Sequence, residues 1–292
     1  MPDVTISRLM MKASDIGSKP TFGAFNPALA AELLVRFIRE EVTKVGFERG
    51  VLGLSGGLDS AVVAHLTARA LGPEHTYGVL MPYRTSDPAS VADAELVAEQ
   101  LGIRTILVEI TPMVDAYFER FPDADRVRRG NVMARMRMLI LYDLSAALRA
   151  LVIGTSNKTE LLVGYGTIYG DMAAAMWPLG DLYKTEVRRL AEYLGVPERI
   201  RQKPPTADLW VGQSDEEELG LTYDVLDAIL VELVDRRLTV EALVHNGYEE
   251  ALVRRVAEMV RRSHFKRRTP LCPKISSRSI GHDFRYKRDW GR

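Results

Sequence analysis

Apolar positions recur along this chain with two periods, and the alternation between the two predicts its architecture. Ala30, Leu33, Leu34, Phe37, Ile38, Val42 and Val45 repeat at helical spacing behind Asn26-Pro27, an N-cap residue followed by proline at the first helical position. Beyond this first amphipathic helix, short apolar runs over 51–55, 77–82 and 105–110 read as strands, separated by helical patterns over 59–71 and 88–101. A long, mostly apolar helix over about 131–150 leads into Leu151-Val-Ile-Gly154-Thr155, whose short run reads as a buried central strand. After Tyr183 only helical patterns remain, over 184–194, 223–235 and 249–263. Strands alternating with helices imply a parallel sheet with right-handed crossovers. The expected fold is a doubly wound parallel α/β core, Rossmann-like, over residues 26–183, continued by a helical part and a basic arm over 184–292. Residues 26–292 read as one domain, behind a short N-terminal segment over 1–25.

Composition narrows the class. With 27% charged and 47% hydrophobic residues, and Lys+Arg equal to Asp+Glu at 39 each, the 292-residue chain has the balance of a globular protein with one active site. The first 25 residues lack the apolar stretch of a signal peptide, and no run approaches a membrane span, so no membrane partner is expected. Cys272 is the single cysteine, and the five histidines are scattered, which excludes an internal disulfide framework and a zinc cluster and fits a reducing cytoplasm. Zero net charge hides an asymmetry: residues 261–292 carry eleven Lys/Arg against Asp283 and Asp289. Because Pro270, Pro273, Gly281, Phe265, Ile275, Ile280, Phe284, Tyr286 and Trp290 interleave with these cations, the stretch reads as an arm packed on the protein rather than a nucleic-acid contact.

The strongest chemical signal is Val51-Leu-Gly-Leu-Ser55-Gly56-Gly57-Leu58-Asp59-Ser60, a strand that ends in a small-residue turn and opens directly into a helix. Glycines let backbone N–H groups approach an anion, the helix N-terminus adds partial positive charge, and Ser55 and Ser60 add hydroxyl donors, so the turn is a phosphate cradle. The plainer reading is a tight turn with Asp59 favourably placed at a helix start. No GxxxxGK[ST] loop exists, and Gly164-Tyr-Gly166-Thr-Ile-Tyr-Gly170 is one residue too long for GxGxxG, which removes the usual kinase, GTPase and dehydrogenase readings.

Two further clusters follow. Gly154-Thr155-Ser-Asn-Lys-Thr-Glu160 stands at the end of a predicted strand, where open α/β sheets bind ligands. Thr155 offers a donor to phosphate, and Glu160 with Asp59 forms a pair of oxygen ligands suited to magnesium shared with substrate phosphates. Asn157-x-x-Glu160 equally has capping-box spacing, a purely structural role. In Asp181-Leu-Tyr-Lys184-Thr-Glu, with Asp181 as cap, Lys184 falls in the first turn, where the helix dipole disfavours a cation; an ATP phosphate would compensate.

Taken together, these segments resemble the NAD synthetase family within the wider group of ATP pyrophosphatases that share an SGGxDS loop. The resemblance rests also on Gly130-Asn-Val-Met-Ala-Arg135-Met-Arg-Met, GTSNKTELLVGYGTIYGD, DLYKTEV, KPPTADL and the HFKRR stretch, all in the family's order from about Asn26 to Trp290. It implies an adenine nucleotide alpha-hydrolase-like fold, a homodimer, and the amidation of deamido-NAD to NAD with ATP and magnesium. Residue by residue, Gly53, Leu54, Ser55, Gly56, Gly57, Leu58, Asp59, Ser60, Thr155, Lys184 and Thr206 would contact ATP or pyrophosphate, with Met81 near the adenine. Asp59 and Glu160 would bind magnesium; Arg135, Asp171 and Lys266 would serve deamido-NAD, although Arg135 also fits a helix salt bridge and Lys266 a solvated basic run. Two positions depart from many ammonia-only members, which carry a lysine and an acid where this chain has Ile168 and Ala175. Thr167-Ile-Tyr-Gly-Asp-Met-Ala is closer to the synthetase domain of glutamine-dependent members.

With only about 25 residues ahead of the first predicted helix, no amidase domain is expected there, so ammonia is the expected nitrogen donor, with a separate glutaminase in trans as an open alternative. Two rival functions also stand. A sulfur-inserting or tRNA-thiolating ATP pyrophosphatase would use the same loop with Cys272 as sulfur carrier. A non-catalytic nucleotide sensor would use the loop alone.

Overall fold

The computed structural model describes residues 25–210, 212–268 and 270–279. The N-terminal segment before Phe25 and the arm residues Ile280, Gly281, Phe284, Tyr286 and Trp290 lie outside the described residues. The first helix, α1 (Pro27–Lys44), begins where its punctuation predicts: the Asn26 side chain accepts from the backbone N–H groups of Ala28 and Leu29 at 3.0 and 3.1 Å.

There follow β1 (Arg49–Gly53), α2 (Leu58–Leu71), β2 (Thr76–Leu80), α3 (Pro88–Leu101), β3 (Arg104–Leu107), α4 (Thr111–Phe118), α5 (Arg126–Leu148) and β4 (Ala150–Val152). All three strand pairs are parallel, in the order β3-β2-β1-β4. The strands have two buried faces. Leu52 and Leu54 point into the core formed with α1, α2 and α3, while Val51, Val79 and Val152 point into the core formed with α4 and α5. This is the doubly wound parallel α/β fold expected. Helix α4 was not anticipated because its apolar residues continue the run of the strand before it.

The remaining elements are α6 (Lys158–Val163), α7 (Lys184–Leu194), α8 (Glu198–Arg201), α9 (Asp215–Leu219), α10 (Tyr223–Leu230), α11 (Val240–His245) and α12 (Glu250–Arg262). Helix α10 runs on into a wider π-helical turn, Val231–Asp235. Val187, Leu190, Ala191 and Leu194 of α7 and Ile200 of α8 pack into the α/β core, while Val163 and Tyr183, ahead of them in the chain, pack into a second, helical core. That second core joins α9 to α12 around Tyr223, Leu226, Ile229, Leu243, Val253 and Val256. The start of the arm is packed on the chain as expected, since Ser263, Lys266 and Arg267 bond to carbonyls over 161–166, but Leu271 and Ile275 are 88% and 91% exposed and the stretch that carries them is not. Pro270 and Pro273 lack the amide donors that would tie it into neighbouring structure. No helix among the described residues is long and apolar enough to cross a membrane.

One buried group gives the fold a measurable acid sensitivity. His65 of α2 is 2% exposed and its Nε2 finds no hydrogen-bond partner among the described residues. Burial, reinforced by the Arg69 charge, lowers its pKa to about 4. Between about pH 6.5 and 4 the unfolded chain takes up a proton that the native state refuses, so stability falls as pH falls through this window, by up to roughly 3 kcal/mol. His65→Leu is expected to flatten this part of the profile, read from urea midpoints at pH 7 and pH 5; parallel profiles would show that another group carries the slope.

Candidate active site

The strand order reverses at β1, with β2 on one side and β4 on the other, and the C-terminal ends of these strands open into a cavity of about 690 Å³. This switch point is where ligands bind in open α/β sheets. Of the residues singled out in the sequence, Gly53, Leu54, Ser55, Gly57, Leu58, Asp59, Ser60, Met81, Thr155, Glu160, Asp171, Lys184, Thr206 and Lys266 line it. Gly56 and Arg135 do not.

The turn between β1 and α2 is held by its own serines. Ser60 Oγ donates to the Gly57 carbonyl at 2.9 Å and accepts from the Ser55 N–H at 3.2 Å, and Ser55 Oγ accepts from the Gly57 N–H at 3.3 Å. Gly56 serves the turn from behind: its φ is +76°, and a Cβ there would fall 2.1 Å from the Ser90 carbonyl oxygen in α3. Only glycine fits between the turn and the first turn of that helix.

Asp59, in the first turn of α2, and Glu160, in the first turn of α6, converge on the Lys184 ammonium. Lys184 Nζ contacts Asp59 Oδ2, lies 3.4 Å from Glu160 Oε1, and stands 5.1 Å from the centre of the Tyr223 ring. Its side chain is 5% exposed. Burial alone would disfavour the ammonium, but the two carboxylates outweigh it and raise its pKa. The Glu160 pKa is raised as well: burial disfavours its carboxylate, the Lys184 charge offsets this only in part, and the neighbouring Asp59 charge adds to the rise. Lys184 stands in the first turn of α7 as expected, and its partners within the chain are these two carboxylates.

The capping reading of Glu160 holds, and it leaves one carboxylate oxygen facing the cavity. Glu160 Oε2 accepts from the Asn157 N–H at 3.3 Å and the Asn157 side chain accepts from the Glu160 N–H at 3.0 Å, a complete capping box, while Oε1 faces Lys184. Asn157 Nδ2 also donates to Asp59 Oδ1 at 3.1 Å, linking the two carboxylates. Glu160→Gln should keep the cap acceptor, so thermal melting should shift little while turnover falls by about 10². A changed melt with unchanged turnover would confine Glu160 to capping.

Asp181 does not cap α7. It is exposed and pairs with Lys158 at 3.3 Å, because the chain turns once more before the helix; Tyr183 is the cap residue, and its N–H donates to Glu186 Oε2 at 2.9 Å. The N-terminus of α7 is instead held by a residue the sequence did not disclose. Fully buried Asp227 of α10 accepts from Thr159 Oγ1 at 2.6 Å and from the Thr185 N–H at 2.9 Å, and Thr159 Oγ1 accepts from the Lys184 N–H at 3.0 Å. One carboxylate thus fixes α6 against α7, and with them Glu160 against Lys184.

At the rim, Lys266 donates to the carbonyls of Gly164 and Gly166, both at 2.7 Å, and Asp171 Oδ1 accepts from the Thr167 N–H at 2.8 Å. These two residues shape the 164–171 loop as well as lining the cavity. Thr206 Oγ1 accepts from the Asp208 N–H at 3.1 Å, and both Asp208 carboxylate oxygens accept from the Asp87 N–H at 3.2 Å, which brings the KPPTADL loop onto the start of α3.

Arg135 is exposed on the outer face of α5 and donates to the Ile168 carbonyl at 3.3 and 3.4 Å. Two residues on, Arg137 points inward, lines the cavity and donates through Nε to the Met81 carbonyl at 3.1 Å. A two-residue step turns a helix by about 200°, so only one of the two arginines faces the sheet. The stripe Gly130, Ala134, Arg137, Leu141 carried that information.

A model of the NAD synthase family matches residues 30–270. An NH(3)-dependent NAD(+) synthetase of Trichlorobacter lovleyi is 56% identical over 267 residues, 91% of this chain and 98% of that protein. Among solved structures, the NH3-dependent NAD synthetase of Campylobacter jejuni, in complex with the nitrate ion, superposes with a TM-score of 0.74 at 35% identity, covering 86% of this chain and 100% of that one. The NMN synthetase of Francisella tularensis gives 0.76 at 34% identity, over 86% and 99%. With the phosphate turn, the paired carboxylates and the lysine assembled in one cavity, and with similarity running through nearly the whole length of these proteins, the chain belongs to the NAD synthase family.

Proposed function

We propose that this protein makes NAD from deamido-NAD, ATP and ammonia in the cytoplasm, by way of an acyl-adenylate, with release of AMP and pyrophosphate. The observation that carries this reading is the single cavity that joins a phosphate turn to Asp59, Glu160 and Lys184, in a chain this similar to NH(3)-dependent relatives. A carboxylate does not form an amide directly at neutral pH, because oxide is a poor leaving group. A nicotinate oxygen attacks the α-phosphorus, the bond from that phosphorus to the β-phosphate oxygen breaks, and pyrophosphate leaves. Ammonia then attacks the acyl carbon, AMP departs with the former carboxylate oxygen, and a proton is released.

The chain's part is positioning and charge compensation. N–H groups of the turn and the α2 N-terminus face the departing pyrophosphate, and Lys184 supplies the cation beside it. Magnesium fits the donor set, since two carboxylates reach one point from α2 and α6; Asp59 and Glu160 would hold it, and it would neutralise pyrophosphate charge. Thr155 and Thr206 would donate to phosphate, Met81 would border the adenine, and Asp171, Lys266 and Arg135 would contact deamido-NAD. Arg135, Leu139 and Tyr142 form an exposed stripe on α5, outside the cavity, which supports a homodimer in which this face meets a second copy. Exposed Cys272 is not among the residues lining the cavity, which favours amidation over the sulfur-carrier reading.

The test is to supply purified protein with deamido-NAD, ATP, magnesium and ammonium. NAD, AMP and pyrophosphate are expected in equal amounts; ADP would overturn adenylation. The deamido form of NMN in place of deamido-NAD should be the poorer acceptor, and a reversed preference would reassign the substrate. Ammonia-free glutamine should give no NAD unless a separate glutaminase is added. Glutamine-driven synthesis by the pure protein that disappears in Cys272→Ser would overturn the ammonia assignment.

A further inference from the structure

Lys184 is compensated within the chain by Asp59 and Glu160, and Lys203, which also lines the cavity, is compensated by Asp93 at 3.1 Å. Arg137 is not. Its guanidinium makes no ion pair among the described residues, and its one hydrogen bond there runs from Nε to the Met81 carbonyl. Burial lowers its pKa, with Asp208 and Asp171 opposing this from a distance, yet a guanidinium stays charged in a protein. The guanidinium is half-buried in the cavity wall, and its two Nη groups have no partner among the described residues, which leaves them available to a ligand in the cavity.

Its place says which ligand. The Cβ position of Gly53, at the base of the phosphate turn, lies 3.4 Å from Met81 Cε and 3.8 Å from Leu141 Cδ1, so Met81 and α5 close over the β2 side of the turn. Arg137 stands one helical turn from Leu141, toward the cavity. Asp59, Glu160 and Lys184 crowd the opposite, β4 side. Val79 and Met81, on the sheet face that α5 covers, make the wall on the Arg137 side apolar and suited to a purine, while Leu54 and Leu80 line the cavity from the other face. A nucleotide with its base on that wall and its pyrophosphate over the turn brings its α-phosphate between the two, at Arg137.

Resting on the amidation reading for the reaction, we propose that Arg137 is a substrate-contacting residue whose two Nη groups fork onto the α-phosphate oxygens of ATP and of the acyl-adenylate. The Nε bond to Met81 fixes the plane of the fork, and planar bidentate donation to phosphate is the geometry arginine supplies and lysine does not.

The test compares wild type, Arg137→Met and Arg137→Lys in binding adenosine, AMP and inorganic pyrophosphate. AMP affinity should fall at least tenfold in Arg137→Met, and less in Arg137→Lys, while adenosine and pyrophosphate stay within about twofold. Arg137→Lys keeps a donor for Met81 and so a folded comparison if the methionine variant unfolds. Equal losses for adenosine and AMP would place the guanidinium on the base, a loss confined to pyrophosphate would place it over the turn, and unchanged AMP affinity would remove it from the site; each overturns the proposal. Single-turnover AMP release from ATP and deamido-NAD should fall about 100-fold in Arg137→Met. If wild type itself releases no AMP, the amidation reading fails, and the binding series still decides the role of Arg137.

Discussion

Lys184→Met is expected to lose about 3–5 kcal/mol of stability and adenylation by about 10²–10³-fold. Methionine keeps the apolar stem but leaves Asp59 and Glu160 facing each other in a buried site without their shared cation. The two losses are separable. Adding Asp59→Asn removes one of the opposed charges and should restore part of the stability without restoring any rate. Urea denaturation reads the first effect and rapid-quench detection of AMP the second. An adenylation rate equal to wild type would remove Lys184 from the chemistry and leave it as a bolt between α2, α6 and α7.

Gly56→Ala should be nearly as damaging, although it adds a single methyl group. At φ +76° the alanine backbone is strained by about 1–3 kcal/mol, and the methyl would overlap the Ser90 carbonyl 2.1 Å away. The turn must move off α3, and its N–H groups no longer converge, so ATP affinity should fall on the order of 10²-fold. Gly102→Ala is the matched control: its φ is +65°, with nothing within 4 Å of the added Cβ. It should lower the melting temperature slightly and leave ATP binding intact. Similar ATP affinities for wild type and Gly56→Ala, by calorimetry, would show that the turn tolerates displacement.

What could be read in advance followed the range of each signal. Period-2 and helical runs act over a few residues, so β1, α2, β2, α3, α5 and α7 were anticipated to within a few residues at each end, and the phosphate turn with them. Helices of four to six residues, α8, α9 and α11, hold too few turns to show a period. Long-range pairings left no trace in the pattern. Asp227 sits in an apolar helix where nothing local announces that its carboxylate serves Thr159 and Thr185, 68 and 42 residues away. The resemblance points to Arg135, whereas the helical stripe facing the sheet carries Arg137, the arginine of this pair that lines the cavity. At Glu160 the capping-box spacing was legible and the box is present, while the second carboxylate oxygen faces Lys184, a pairing 24 residues away that local spacing does not show.

Helix α6 has a consequence for the order in which this protein matures. It is six residues long, too short to stand alone, and is secured at both ends. The Asn157 box is local, but its final carbonyls are held from the far end of the chain: Arg267 Nη1 donates to Leu161 and Leu162 at 2.8 and 2.6 Å, and Ser263 Oγ donates to Leu162 at 2.9 Å. The arginine closes a span of 105 residues, the kind of contact that forms late in folding. A chain still being synthesised would therefore build the sheet and phosphate turn well before Glu160 is anchored. Nucleotide binding should precede catalytic competence in the life of each molecule, and a chain ending at Arg262 would stop at the first of these stages.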